Sequence, residues 1–149
     1  MPSYTHLAYR RNAKAAARKQ QIKKPKNQES LLKAREDFGY FCEYVADKPP
    51  AEHHKTWHRH FVTNEDSSCL LKIAGPNVDL LAPRGSAKST VLGLLTAWAI
   101  GIHTQAKQPL QVLYLSYTVD IARSKSATIK RIIESKRYQE VFPKVRLLK

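Results

Sequence analysis

The chain has 149 residues, with 26 lysines and arginines against 12 acidic residues, for a formal net charge of +14. That is the length of one ordinary domain. Its two cysteines, Cys42 and Cys69, build no disulfide framework, stand in no C-x-x-C pair and make a reducing compartment the default. The N-terminus lacks the apolar run of a secretory signal, and the longest apolar stretch, VLGLLTAWAIGI at 91–102, is too short to span a bilayer.

Residues 1–28 carry eight basic residues, from Arg10 to Lys26, and no acid, which leaves 18 basic against 12 acidic residues on 29–149. A basic tail on a moderately basic body suits a polyanion partner, either nucleic acid or an anionic membrane surface. RRNAKAAARKQQIKK favours helix by composition but lacks an apolar face, and Pro25 stops it. The segment is expected to be a disordered or conditionally helical arm. If it neutralised ~5 phosphates, affinity for DNA would fall with log salt at a slope of ~−4 to −5.

Leu31, Ala34, Phe38, Phe41 and Val45 recur at 3-4-3-4 spacing and predict one amphipathic helix over 30–46, with Ser30 as N-cap and Lys48-Pro49-Pro50 as its end. A short helix is expected over 51–62 and a loop over 63–77, with Gly75-Pro76 as a turn. Val78 to Leu81 read as a short buried strand, and 82–87 as a tight loop. Residues 88–103 read as a helix apolar nearly all round, with Trp98 in its core face. Val112 to Ser116 read as a second strand. A last helix runs from Ile121 to Lys136, with Ile121, Ile129, Ile132 and Ile133 inward and Asp120 as N-cap. Strand–loop–helix–strand–helix opens a parallel α/β unit. The predicted fold class is therefore an incomplete P-loop NTPase on a parallel sheet, occupying 29–149 behind the arm.

The loop carries the chemistry. DLLAPRGSAKST, residues 79–90, ends in Lys-Ser-Thr as a phosphate-binding loop does, but Ala82 and Ala87 occupy the glycine positions of G-x-x-x-x-G-K-[ST]. Such loops grip phosphate through backbone N–H groups and the positive end of the following helix. Alanine replaces glycine at negative φ, so the most demanding torsion is expected at Gly85. The candidate nucleotide site spans Ala82, Pro83, Arg84, Gly85, Ser86, Ala87, Lys88, Ser89 and Thr90. Lys88 would reach the β- and γ-phosphates, and Ser89 would place its hydroxyl on Mg²⁺. Thr90 would support the helix start or a phosphate oxygen. Arg84 would stabilise charge on the transferring phosphoryl group as an arginine finger in cis. ATP and Mg²⁺ are the implied cofactors.

APRGSAKST resembles the altered Walker A loop of the large terminase subunits of tailed phages. The likeness continues through Trp98 and Ile100, VLYLSYTVDIARSKSATIKRIIES at 112–135 and YQEVFP at 138–143, with HHKTWH at 53–58 upstream; it covers roughly residues 36–143. The resemblance implies an ATPase that drives double-stranded DNA into a capsid in the host cytoplasm. It further implies a homo-oligomeric ring when full length, with portal protein and the small terminase subunit as partners. It places Arg84, Lys88 and Ser89 in the family's loop roles and an adenine contact somewhere within 51–62.

The family's Walker B pair, its coupling motif and its nuclease carboxylates have no counterpart here. The chain alone is therefore expected to hydrolyse ATP poorly or not at all, as the N-terminal portion of an ATPase domain. Two other readings stay open: a nucleic-acid-binding accessory protein without ATPase activity, and another P-loop ATPase such as a helicase.

Other constellations carry less. His54 and His58 are four apart, the spacing of a zinc pair, but no third ligand or H-E-x-x-H glutamate accompanies them. A polar surface helix is the preferred reading. Trp57 is expected to pack on the first helix or to stack on a base. Arg123 and Lys125 read as exposed helix residues, with action in trans on a neighbouring subunit as the alternative.

Overall fold

A computed structural model of the chain describes residues 28–63, 72–73 and 79–147. The arm over 1–27, the Gly75-Pro76 turn, Val78 and Cys69 lie outside the described residues. Within them stand six helices: α1 (Gln28–Glu36), α2 (Phe38–Ala46), α3 (Glu52–Phe61), α4 (Lys88–Gln105), α5 (Val119–Glu134) and α6 (Lys136–Val141).

The helix expected over 30–46 is two. Asp37 has extended backbone (φ −115°, ψ 113°) and its carboxylate accepts from Tyr40 N at 2.6 Å, so it caps α2 and breaks the run. The helical start lies at Gln28, so Ser30 is not the cap. The apolar spacing survives the break. Ala34, Phe38 and Phe41 are buried, and Leu31 and Val45 pack against them from the edge. The chain leaves α2 through Asp47 in the left-handed region, just ahead of the two prolines.

Helix α4 is the central element. Val91, Leu94, Ala97, Trp98 and Ile102 are buried at helical spacing, while Leu95 and Ile100 are half-covered. It contacts α2, α3 and α5. In α5 only Ile133 is fully buried. Ile129 and Ile132 pack at the edge of the core, and Ile121 is exposed, against its expected inward position. Thr118, not Asp120, caps α5, accepting from Ile121 N at 3.4 Å; Asp120 sits in the first turn.

A helix that the sequence reading did not anticipate closes the core. Ser135 ends α5 and caps α6, which brings in Tyr138, Val141 and Phe142, all fully buried. Tyr138 Oη donates to Ala97 O at 2.8 Å, and Trp98 Nε1 donates to Ala34 O at 3.1 Å. These two bonds satisfy buried polar groups that would otherwise oppose burial of the rings. At the surface, Arg35 Nε donates to Val141 O at 2.7 Å, and Arg137 bonds Tyr44 O at 3.0 Å and the Asp47 carboxylate at 2.5 Å. The N-terminal helix pair is thereby fastened to the C-terminal end of the described chain.

The parallel sheet is absent among the described residues. The only extended pairing there is antiparallel and two residues long, β1 (Val62–Thr63) with β2 (Lys72–Ile73), in the register Val62↔Ile73. Residues 79–81 and 112–116 are irregular rather than strands. Their side chains face solvent: Leu81 is 94% exposed, Leu113 81% and Leu115 80%. The fold class is therefore corrected from α/β to helical. A strand is stable only when a neighbour takes its backbone hydrogen bonds and another layer covers its face, and these two apolar runs have neither here. Helices satisfy their own backbone, so the helical part of the expectation stands without a sheet.

Candidate phosphate-binding loop

The loop before α4 begins as a turn. Ser86 N donates to Pro83 O at 3.4 Å, and Gly85, the third residue of that turn, has φ +87°. Positive φ at the third position is what a type II turn requires, and glycine takes it without steric cost. The expectation that Gly85 holds the demanding torsion is met. The companion expectation for Ala87, a negative φ, is not: Ala87 stands at φ +56°, ψ 18°, in the left-handed region.

Ala87 is also the N-cap of α4 and supplies no side-chain hydrogen bond, whereas α2, α5 and α6 are capped by Asp37, Thr118 and Ser135. The first turn of α4 contains no acid and begins with Lys88. A cation at the positive end of a helix opposes the macrodipole. An uncapped helix start with a lysine in its first turn is a local conflict of the kind that marks a functional site. It is relieved when an anion takes up the free N–H groups.

Lys88 is half-buried and turns back over the loop, its Nζ donating to Ala82 O at 3.5 Å. The ammonium thus closes the loop from Ala82 to the helix start. Arg84, Ser89 and Thr90 are exposed around this bend. Their polar ends are accessible to a ligand, and Ser89 stands next to Lys88 in the first turn. Residues 82–87 form the bend, and Lys88, Ser89 and Thr90 begin α4.

Helix α3 supplies a contact to the loop that the sequence reading did not anticipate. The backbone N–H of Ala51 donates to His54 Nδ1 at 3.2 Å, and His54 Nε2 lies 2.8 Å from Ser86 O. Accepting at Nδ1 leaves the proton on Nε2, which donates to the loop carbonyl. His54 and His58 do not share a site. His58 lies on Phe38, with centroids 4.8 Å apart and planes at 15°, and edge-on to Trp98 at 5.6 Å. The reading of α3 as a polar surface helix is corrected at this residue, whose ring packs on Phe38 and Trp98; that burial lowers the His58 pKa, partly opposed by the nearby Asp37 carboxylate. Trp57 meets its own helix neighbours, His53 edge-on at 5.0 Å and His54 tilted at 5.1 Å, while His58 stacks on Phe38 of the N-terminal pair. The signal for His54 was the histidine pair just ahead of the loop, but only the tertiary fold selects which ring reaches it.

Among the described residues no group of three or more His, Cys, Asp or Glu is placed to hold a metal ion, and no helix is long and apolar enough to cross a membrane. Cys42 is buried and free, its pKa pushed up to about 12 by burial and then by Asp37, so its thiol is unreactive at neutral pH. A cavity of about 420 Å³ lies away from the loop, between the 114–118 segment and α5, lined by Tyr114, Leu115, Val119, Ala122 and Arg123. Arg123 is exposed at its edge and Lys125 is half-buried.

Comparison with protein-family models, with curated proteins and with solved structures finds no match to this chain.

Proposed function

We propose that residues 82–90 bind the phosphates of a nucleoside triphosphate, and that the chain is the ATP-binding part of a DNA-packaging ATPase of the terminase large-subunit type. The first half of this reading is carried by the bend itself: Gly85 and Ala87 at positive φ, an uncapped α4 behind them, and Lys88 folded back to Ala82 O at 3.5 Å. A loop of this kind grips phosphate with backbone N–H groups and one ammonium, and needs no sheet in order to do so.

The second half rests on the order of motifs in the sequence and draws nothing from the sheet, which the described residues lack. Under it, Ser89 would hold Mg²⁺ and Arg84 would face the γ-phosphate. Double-stranded DNA, portal protein and the small subunit are partners, a homo-oligomeric ring is the working form, and the host cytoplasm is the setting.

One observation favours a different reading. A net charge of +14 on a chain whose described residues form no parallel sheet suits a nucleic-acid-binding accessory protein, in which the bend takes a backbone phosphate. Titration of the 149-residue chain with Mg·ATP and with duplex DNA, at one fixed salt concentration, separates the two. The nucleotide reading expects saturable ATP binding that Lys88→Ala weakens about tenfold or more, a loss of ~1.4 kcal/mol or more. ATP affinity unchanged in Lys88→Ala would overturn it. Lys88-dependent DNA binding with no ATP binding would establish the accessory reading.

A further inference from the structure

We propose that His54 is a positioning residue for the phosphate loop. Its Nε2–H form holds the Ser86–Ala87 peptide in the orientation that presents the Ala87 amide to phosphate. The proposal rests on the reading of 82–90 as a phosphate site and adds to it a residue from a different helix.

Three observations carry it. Both ring nitrogens of His54 are engaged: Nδ1 accepts from Ala51 N at 3.2 Å and Nε2 donates to Ser86 O at 2.8 Å. The first bond sets the tautomer that makes the second possible. The peptide that the ring grips then joins Ser86 to a residue in a conformation that alanine resists, Ala87 at φ +56°. Finally, α3 is itself held in place, because His58, one turn on, is stacked on Phe38 and edge-on to Trp98 in the core. The ring is therefore a strut from the core to the loop.

A trans peptide directs its C=O and N–H to opposite sides, and no peptide bond described here is cis. With Ser86 O fixed on His54, the Ala87 N–H faces away from the ring, toward the side from which an anion approaches. A loop with glycine in place of Ala87 would reach this geometry unaided. A loop with alanine there needs an external hold, and His54 provides one.

The test combines two measurements on the full chain. Side-chain ¹⁵N NMR of His54 is expected to show the Nε2–H tautomer, and His54→Ala is expected to shift the Ser86 carbonyl ¹³C resonance, because that carbonyl loses its donor. Mg·ATP titration is expected to give about tenfold weaker binding in His54→Ala, near-complete recovery in His54→Gln, whose amide can donate to the same carbonyl, and only a small effect of His54→Ala when Ala87→Gly is present. An Nδ1–H tautomer, an unchanged Ser86 carbonyl resonance, or an equal loss on His54→Ala with and without the Ala87→Gly substitution would overturn the strut. If the unaltered chain binds no ATP, the phosphate reading fails, and the tautomer and the carbonyl resonance still decide whether the strut exists.

Discussion

Ala87 is held where an L-residue with a β-carbon is strained, at φ +56°, and it is also the N-cap of the longest helix among the described residues. The left-handed conformation costs such a residue ~1–2 kcal/mol. A neutral hydrogen bond returns ~1 kcal/mol, so the His54–Ser86 contact and the torsion are of comparable size, and neither dominates. Ala87→Gly removes the strain but adds freedom to the unfolded chain. The net expectation is a gain of about 0.5–1 kcal/mol, read as a higher urea midpoint at unchanged slope. A loss of stability would show that the torsion is not strained in solution. At this scale the sequence was half legible. The sequence reading placed the demanding torsion at Gly85 alone, where glycine announced it. Alanine at 87 announced nothing, because its backbone is set by contacts from α3 and α4 and not by its own preference.

At the scale of elements, the packing of α4 against the C-terminal end of the described chain is close. Gly101 lies directly against Phe142, and a β-carbon added there would fall on the phenyl ring. Phe142 in turn packs with Tyr138 at 5.2 Å and Phe41 at 6.0 Å, so it has no free direction in which to retreat. Gly101→Ala is therefore expected to destabilise by about 1–3 kcal/mol despite alanine's better helix propensity. Chemical denaturation checks this, and a neutral result would show that the ring can swing aside. Gly93→Ala, whose added carbon would meet Ile129 at an ordinary 3.7 Å, is the control for propensity alone. Helix periodicity found α3, α4 and α5 within a few residues of their ends. It merged α1 with α2 because the apolar stripe runs unbroken past Asp37, and only the carboxylate's capping bond separates them. It missed α6 because six residues carry too little period to stand out, and what orders them is burial of Tyr138, Val141 and Phe142.

For the whole molecule, the helical core links both ends of the described chain, and a histidine ring packs against its edge. His58 sits against Phe38 and Trp98, and burial lowers its pKa below the ordinary 6.5, with the Asp37 carboxylate opposing the shift and Arg59 adding to it. A depressed histidine binds fewer protons folded than unfolded. Stability from this group is therefore complete above the unfolded value and is lost as pH falls below about 6.5 toward the lower folded value. Urea midpoints at about pH 7.5 and about pH 5.5 are expected to differ in that direction, with a smaller difference in His58→Phe. An identical pH response in the variant would place the titration elsewhere.

The apolar runs at 79–81 and 112–116 show the limit of pattern at this scale. Their composition suits buried strands, yet Leu81, Leu113 and Leu115 are open to solvent among the described residues. A helix is decided within a window of the chain, since its hydrogen bonds close over four residues and its stripe is written in the spacing. The sequence by itself therefore determined α3, α4 and α5 and the bend before α4, with Lys88 at its end. A strand, a tautomer and a strained torsion are decided by what lies across from them. The tertiary structure alone settled that no parallel sheet forms among the described residues, that His58 packs against the core, and that His54 reaches the loop.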